Sequence, residues 1–264
     1  MSGSNWPKWE HYETYIGRWS RVIAVEFLDW LSVQPGRRWL DIGCGPGALT
    51  QTILDRTNPV AVTGIDSTPD YVDHVCQAVD SPVAEFSVAD ARELPFADAA
   101  FDAVVSGLVL NFIPEPERAL AEMVRVTSPG GVVGGYVWDY QDGLPHLRVF
   151  WDAAAQVEPS ARQHDHSARF PTTRPEWLRC AFSDAGLEQV EIRGIEFMMP
   201  YPDFDTFWVH HLGTAATIQR FVDALDDRQR TMLIELTTAG LPANADGSID
   251  IPIRAWAVKG KWPG

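Results

Sequence analysis

Residues 38–50 read RWLDIGCGPGALT, and this stretch predicts a short buried strand, a glycine turn and the start of a helix. Trp39, Leu40 and Ile42 are apolar and favour a strand. Glycine at alternate positions allows a tight turn and a close approach of the backbone to a ligand, because no Cβ stands in the way. Asp41 lies near the carboxyl end of the strand, the edge at which open α/β sheets bind ligands. We therefore expect a ligand site at this turn.

Two classes of ligand compete for such a turn. The spacing Gly43-x-Gly45-x-x-Ala48 satisfies the loose dinucleotide fingerprint, so an NAD-dependent oxidoreductase is one interpretation. Pro46 disfavours it, because a pyrophosphate takes backbone N–H groups from the turn and proline has none. Asp41 would repel a diphosphate but attract a ligand that carries an ammonium and a sulfonium. A glycine turn with no ligand is the third interpretation.

Composition limits the classes of partner. The chain has 264 residues, 45% of them hydrophobic, which suffices for one large α/β domain with a lid. A formal net charge of −15 disfavours nucleic acid and anionic lipid as partners. The three cysteines have no metal-ligand spacing, no run reaches transmembrane length, and the first residues do not resemble a signal peptide. We expect a cytoplasmic protein, monomeric or homodimeric, that binds no nucleic acid and no membrane.

Further strand ends also carry polar side chains. Asp66 ends a second strand about 20 residues past the glycines, where the ribose-binding acid of a βαβ nucleotide site belongs. Asp90 follows the third strand, where a carboxylate can accept from an adenine amino group while the Ala91 N–H faces a ring nitrogen. Ser106 ends the fourth strand. With Asp41, these positions predict a site for an adenosine-containing ligand; three acidic helix caps are the alternative.

Several motifs resemble those of class I S-adenosylmethionine (SAM) dependent methyltransferases. The order Asp-x-Gly-x-Gly-x-Gly from Asp41 is similar to their first motif, and the resemblance covers about residues 36–138. The stretches at 88–91, 94–96, 101–104 and 119–131 resemble the small-molecule group that includes the ubiquinone and menaquinone biosynthesis enzymes. The resemblance implies SAM as cofactor and an α/β fold. That fold is a Rossmann-like seven-stranded sheet flanked by helices, with an antiparallel last strand beside the fifth and a mostly helical lid.

The resemblance also implies a set of cofactor contacts. In the family, the equivalents of Asp66, Asp90, Ala91 and Ser106 touch SAM, and residues 15–19 resemble a segment that covers its methionine end. Arg18 could bind a ligand carboxylate in a bidentate manner, or it could be a surface arginine. The expected cofactor-binding residues are Tyr15, Arg18, Asp41, Gly43, Cys44, Gly45, Asp66, Ser67, Asp90, Ala91, Ser106 and Leu108.

The rest of the chain predicts a lid on one methyltransferase domain that spans residues 1–264. The SAM-binding core comprises about residues 20–138, 175–199 and 249–260. The segments 139–174 and 201–246 are too long for bare loops, and we interpret them as a largely helical lid that selects the substrate. Their histidines lack a helical i, i+4 pair, so no metal site is expected.

The expected reaction is transfer of the SAM methyl group to a small-molecule acceptor by in-line displacement. The protein must align the nucleophile, the methyl carbon and the leaving sulfur, and exclude water. An oxygen or nitrogen acceptor can require a base with a pKa near the working pH. His166 is the first candidate for this base and Asp139 the second. Besides the oxidoreductase, the alternative is a SAM-binding protein without catalysis.

Overall fold

The computed structural model describes residues 17–164 and 170–264, so the predictions for Tyr15 and His166 lie outside the described residues. The strands are β1 (Arg38–Ile42), β2 (Ala61–Asp66), β3 (Ala84–Val88), β4 (Phe101–Gly107), β5 (Thr127–Trp138), β6 (Glu188–Tyr201) and β7 (Ile249–Lys261). The helices are α1 (Arg18–Leu31), α2 (Ala48–Thr57), α3 (Pro69–Ala78), α4 (Pro116–Val126), α5 (Pro145–Val157), α6 (Pro175–Asp184), α7 (Phe204–Thr214), α8 (Ala216–Asp223) and α9 (Asp227–Gly240). No helix in these two ranges is both long and apolar enough to span a membrane.

The seven strands form one sheet in the order β3-β2-β1-β4-β5-β7-β6. The pairs β1–β2, β1–β4, β2–β3 and β4–β5 are parallel. β7 is antiparallel to β5, because residue numbers rise along one strand as they fall along the other. Gly130 N donates to Trp262 O at 2.7 Å, and Asp139 N donates to Arg254 O at 3.1 Å. The predicted Rossmann-like sheet with its antiparallel last strand is confirmed.

Parallel pairing brings the carboxyl ends of the first strands to one edge. Asp41 pairs with Gly64 in β2 and with Val105 in β4. Asp66 pairs with Val88, the last residue of β3. The loops that follow these strands therefore start close together, which is the general position of ligand sites in open α/β sheets.

Both faces of the sheet carry helices. On one face, Leu120 and Met123 of α4 and Phe182 of α6 pack with Ile42 and Val104 in the main hydrophobic core. All five side chains are at most 1% exposed, and burial of such a side chain stabilises the fold by about 1.5–3 kcal/mol. This core holds the strand ends, and thus the edge loops, in fixed positions.

The opposite face of the sheet is covered by α1. A Cβ at Gly134 of β5 would lie 3.0 Å from Leu31 and 3.1 Å from Phe27. The absence of a side chain at this position lets the helix approach the strand closely.

Local sequence signals mislead at two boundaries. Serine is a common helix cap, but α1 begins at Arg18 and Ser20 lies inside it, 3% exposed. The sequence SPGG at 128–131 is typical of a turn between a helix and a strand, but β5 already begins at Thr127. The turn signal is overridden by pairing with the residue that follows β7: Trp262 N donates to Gly131 O at 3.0 Å. Tertiary pairing outweighs local propensity here.

The chain also forms a second compact unit, Trp138–Pro171 with Glu196–Arg254. Its helices α5 and α7–α9 account for most of the two segments interpreted as a lid, so their helical character is observed. A separate core that includes Phe150, Trp151, Ile218 and Leu233 holds the unit together. The role of these segments as a lid stays a prediction.

Position 47 has no room for a side chain, and the effect of adding one on stability can be measured. Gly47 has φ +95°, and a Cβ there would lie 2.7 Å from Val75 Cγ2. Gly36 has φ +76°, with no described atom within 4 Å of its Cβ position. We predict that Gly36→Ala lowers the free energy of unfolding by about 1–2 kcal/mol through backbone strain alone. Gly47→Ala should lower it by about 1–3 kcal/mol more, through the clash. Urea unfolding measures both, and equal losses would contradict the packing argument.

Candidate functional site

The glycine turn is tied to the end of β2. Gly43 N and Cys44 N donate to Ile65 O at 2.8 and 2.9 Å. Gly45 N donates to Asp66 Oδ2 at 3.1 Å. The turn therefore takes its shape from the neighbouring strand as well as from its own sequence.

Two of the glycines in the turn face different neighbours. A Cβ at Gly43 would lie 2.5 Å from Val109 Cγ1, so this position must be bare for the segment after β4 to pack on the turn. A Cβ at Gly45 would have Gly43 O, at 4.0 Å, as its nearest described atom. Gly45 thus leaves space open above the turn, and a side chain there would project into it.

Two adjoining cavities lie at this edge of the sheet. The first, which we call the turn cavity, has a volume of about 320 Å³. Six residues that the sequence predicts to bind the cofactor line it: Asp41, Gly43, Cys44, Gly45, Asp66 and Leu108. The second, which we call the rim cavity, has a volume of about 340 Å³. Five residues that the sequence predicts to bind the cofactor line it: Gly43, Asp66, Ser67, Asp90 and Ala91. The two cavities share four wall residues, which are Gly43, Asp66, Val109 and Phe112.

Asp41 is a buried carboxyl group on the wall of the turn cavity. It is 1% exposed, and Thr50 Oγ1 donates to its Oδ2 at 2.6 Å. Burial raises the pKa of Asp41 to about 7; the hydrogen bond from Thr50 opposes this rise and the charge of Asp66 adds to it. A cation bound in this cavity would stabilise the ionised form.

Asp66 organises both the turn and the next helix. Its Oδ2 accepts from Gly45 N, and its Oδ1 accepts from Thr68 N at 2.8 Å. Each oxygen has a second lone pair, so the carboxylate can still accept hydrogen bonds from ligand hydroxyls. The ribose-binding role of Asp66 stays a prediction.

Asp90 reaches the rim cavity, but its carboxylate is occupied. Arg92 donates to both of its oxygens, and the shortest contact is 2.7 Å, from the guanidinium to Oδ2. These hydrogen bonds lower the pKa of Asp90 to about 2, although the side chain is about half exposed. Sequence reasoning missed Arg92; the Asp-x-Arg spacing after a strand was the available signal.

Two other predicted contacts, Ser106 and Arg18, are not wall residues of either cavity as the described residues define it. Ser106 is 1% exposed, and its Oγ has no partner among the described residues. Arg18 is exposed and lies 4.4 Å from the centroid of the Trp19 ring. Cys44 lines the turn cavity, but burial raises the pKa of its thiol, so the thiol is protonated.

The structure adds wall residues that sequence reasoning did not predict. Tyr71 of α3 and Ser20 of α1 line the turn cavity, and Val109 and Phe112 line both cavities. The glycine motif gives no signal for them, because they come from later or earlier elements that only the fold brings to the turn.

Asp139, the second candidate for a base, lies in the unit of residues 138–171 and 196–254. It is 1% exposed, and its Oδ2 accepts from Arg254 Nε at 2.8 Å. Its Oδ1 accepts from Gln141 N and Asp142 N at 3.0 and 3.2 Å. These contacts favour a structural role, and its action as a base stays a prediction.

The chain is similar in sequence to known methyltransferases. The methyltransferase domain family matches residues 40–134. The malonyl-[acyl-carrier protein] O-methyltransferase of Geobacter sulfurreducens is 31% identical over 192 residues, which are 71% of this chain and 68% of that protein. The demethylmenaquinone methyltransferase of Renibacterium salmoninarum is 37% identical over 43% of this chain and 45% of that protein. Two further curated relatives are matched over 36% and 64% of their own length.

A solved structure shows the same fold. Phosphoethanolamine N-methyltransferase 2 of Haemonchus contortus, in complex with S-adenosyl-L-methionine, aligns with a TM-score of 0.60. The match covers 97% of this chain and 57% of that chain at 17% identity, so the likeness is one of fold.

The raised pKa of Asp41 makes stability depend on pH. Between its ordinary value near 3.8 and about 7, the folded protein binds a proton that the unfolded chain has released. The free energy of unfolding should therefore fall as pH rises through this window. We predict that Asp41→Asn, which keeps an acceptor for Thr50, stabilises the protein at pH 8 by on the order of 1–3 kcal/mol. At pH 4 it should have little effect.

Urea unfolding at both pH values measures this difference. Asp29→Asn is the control, because Asp29 is an exposed partner of Arg56 and should give no such gain at pH 8. An Asp41→Asn variant that is less stable than the wild type at pH 8 would contradict the prediction.

Proposed function

Since this chain belongs to the family of SAM-dependent methyltransferases, we propose that it transfers the methyl group of SAM to a small-molecule acceptor by in-line displacement. The observation that carries this proposal is the pair of carboxylates, Asp41 and Asp66, on the walls of the turn cavity. They suit a ligand with an ammonium, a sulfonium and a ribose. They do not suit a diphosphate.

The chain's own residues divide between the two parts of the cofactor. In our proposal the adenosine occupies the rim cavity, with the ribose hydroxyls at Asp66 and the adenine near Asp90 and Ala91. The methionine end occupies the turn cavity, where Asp41 faces its positive charge and Gly45 leaves room. Because the two cavities share the walls at Val109 and Phe112, one continuous ligand can fill both.

SAM supplies, when bound, a methyl group that its sulfonium already activates. What this chain adds is orientation and exclusion of water, which are large contributions to displacement reactions. The protonated Cys44 thiol is unsuited to act as a nucleophile. We keep His166 and Asp139 as candidate bases for an oxygen or nitrogen acceptor.

The net charge and the named relatives bear on the class of acceptor. The net charge of −15 disfavours nucleic acid. The relatives named above are methyltransferases for malonyl-[acyl-carrier protein] and demethylmenaquinone, and the acceptor of this chain can differ from both.

The three cysteines form no disulfide, which supports a reducing, cytoplasmic location.

Calorimetry tests the choice of cofactor. We predict that SAM and S-adenosylhomocysteine (SAH) bind and that NAD does not, because Pro46 and the carboxylates disfavour a pyrophosphate. SAM binding should release a proton near pH 7, since the ligand's positive charge lowers the raised pKa of Asp41. Comparison of buffers with different ionisation enthalpies measures this release. Binding of NAD without SAM would overturn the proposal.

Turnover separates an enzyme from a SAM-binding protein without catalysis. SAH formation is measured with a panel of small hydroxy, amino, carboxy and quinol acceptors. SAM binding without turnover on any acceptor would favour the non-catalytic alternative.

Gly45 offers a test of where the cofactor lies. We predict that Gly45→Ala weakens SAM binding by roughly tenfold or more, because the added methyl group projects into the turn cavity. Gly36→Ala is the matched control, since it carries a similar backbone strain at φ +76° away from both cavities. Titration calorimetry of the two folded variants gives the affinities. Equal SAM affinities would contradict the assignment of this cavity.

A further inference from the structure

Both oxygens of the Asp90 carboxylate accept hydrogen bonds from one neighbour, Arg92. Its Oδ1 accepts from Arg92 N at 2.9 Å and from Arg92 Nε at 3.1 Å. Its Oδ2 accepts from Nε at 3.2 Å and from a terminal guanidinium nitrogen at 2.7 Å. Three N–H groups of Arg92 make these contacts, because the single Nε hydrogen is shared between the two oxygens. A further donor therefore competes with the guanidinium for the carboxylate.

The same guanidinium has a second anchor. Its other terminal nitrogen donates to Glu115 Oε1 at 3.1 Å. Asp90 and Arg92 line the rim cavity, and Glu115 directly follows Pro114, which lines it too. Arg92 therefore links two segments of the lining and can stay bound to Glu115 when it leaves Asp90.

We propose that Arg92 is a specificity-determining residue of the cofactor site, which competes with the adenine amino group for the Asp90 carboxylate. This inference rests on the proposed function, which places adenine at Asp90. Asp90 is ionised at neutral pH, so it accepts hydrogen bonds and donates none. A purine must present a donor to take it from Arg92.

The chemistry of the base sets the expected selectivity. Adenine carries an exocyclic amino group, whereas hypoxanthine carries an oxygen at the same position. The oxygen cannot bond to a carboxylate acceptor but can accept from a guanidinium. Removal of Arg92 should therefore favour adenine and give hypoxanthine no gain.

The test is calorimetry with two ligands, SAH and S-inosylhomocysteine. We predict that Arg92→Ala binds SAH about two- to fivefold more tightly than the wild type, the range expected for release of an exposed ion pair. Its affinity for S-inosylhomocysteine should stay the same or fall. Because the two ligands share their amino acid part, the ratio of their affinities cancels the general effect of the lost charge.

Two more variants sharpen the result. Arg118→Ala removes a nearby exposed charge that pairs with Glu93 at 3.8 Å, and it should leave the affinity ratio unchanged. Glu115→Gln weakens the hydrogen bond that retains Arg92 when it leaves Asp90. Introduced into the wild type, it should therefore weaken SAH binding. Introduced into Arg92→Ala, it should have no such effect. Arg92→Gln, with one weaker donor, should give an intermediate ratio.

The outcomes are distinct. Weaker SAH binding by Arg92→Ala would overturn the inference and make Arg92 a support that positions Asp90. An equal change for both ligands would also overturn it, because base recognition would then be unaffected. Wild-type protein that binds neither ligand would overturn the proposed function and this inference with it. Thermal unfolding of each variant confirms that the comparison is made on folded protein.

Discussion

Two carboxylates buried at one edge of a parallel sheet are the constraint on which this site depends. Asp41 is 1% exposed and Asp66 is 9% exposed, and the charge of one raises the pKa of the other. Such a pair is unfavourable in the absence of a counter-charge. The fold tolerates it because Thr50, Thr68 and Gly45 supply hydrogen bonds. A cationic ligand would relieve the repulsion, so the ligand-free protein is less stable than it could be.

The sheet supplies the rigidity that this arrangement needs. β1 is flanked by β2 and β4, and helices cover both faces, so the strand ends have little freedom to separate. Val109 packs where a Cβ of Gly43 would stand. The cavity walls thus come from elements that are distant in sequence and locked by packing. The rim cavity is less enclosed at Asp90, which is about half exposed and is neutralised by Arg92.

Local patterns account for the parts of the structure that were predictable. The alternation of Ile249, Ile251, Ile253, Ala255 and Ala257 predicts one buried face, and all five side chains are buried. Strand period depends on neighbours along the chain, so it can be read without the fold. The boundary of β5 could not be read in this way, because hydrogen bonds with Trp262, more than 100 residues later, extend it.

The sequence by itself determined the fold class, the glycine turn and the strand-end acids, because strand periodicity, glycine freedom and the common edge of parallel strands are local or topological properties. Only the tertiary structure decided which groups share a cavity and in what state. In the folded protein, Phe112 lines both cavities and burial raises the pKa of Asp41. The Asp90 carboxylate accepts hydrogen bonds from Arg92. Burial, electrostatic coupling and side-chain pairing depend on distances in space, and the order of residues does not specify those distances.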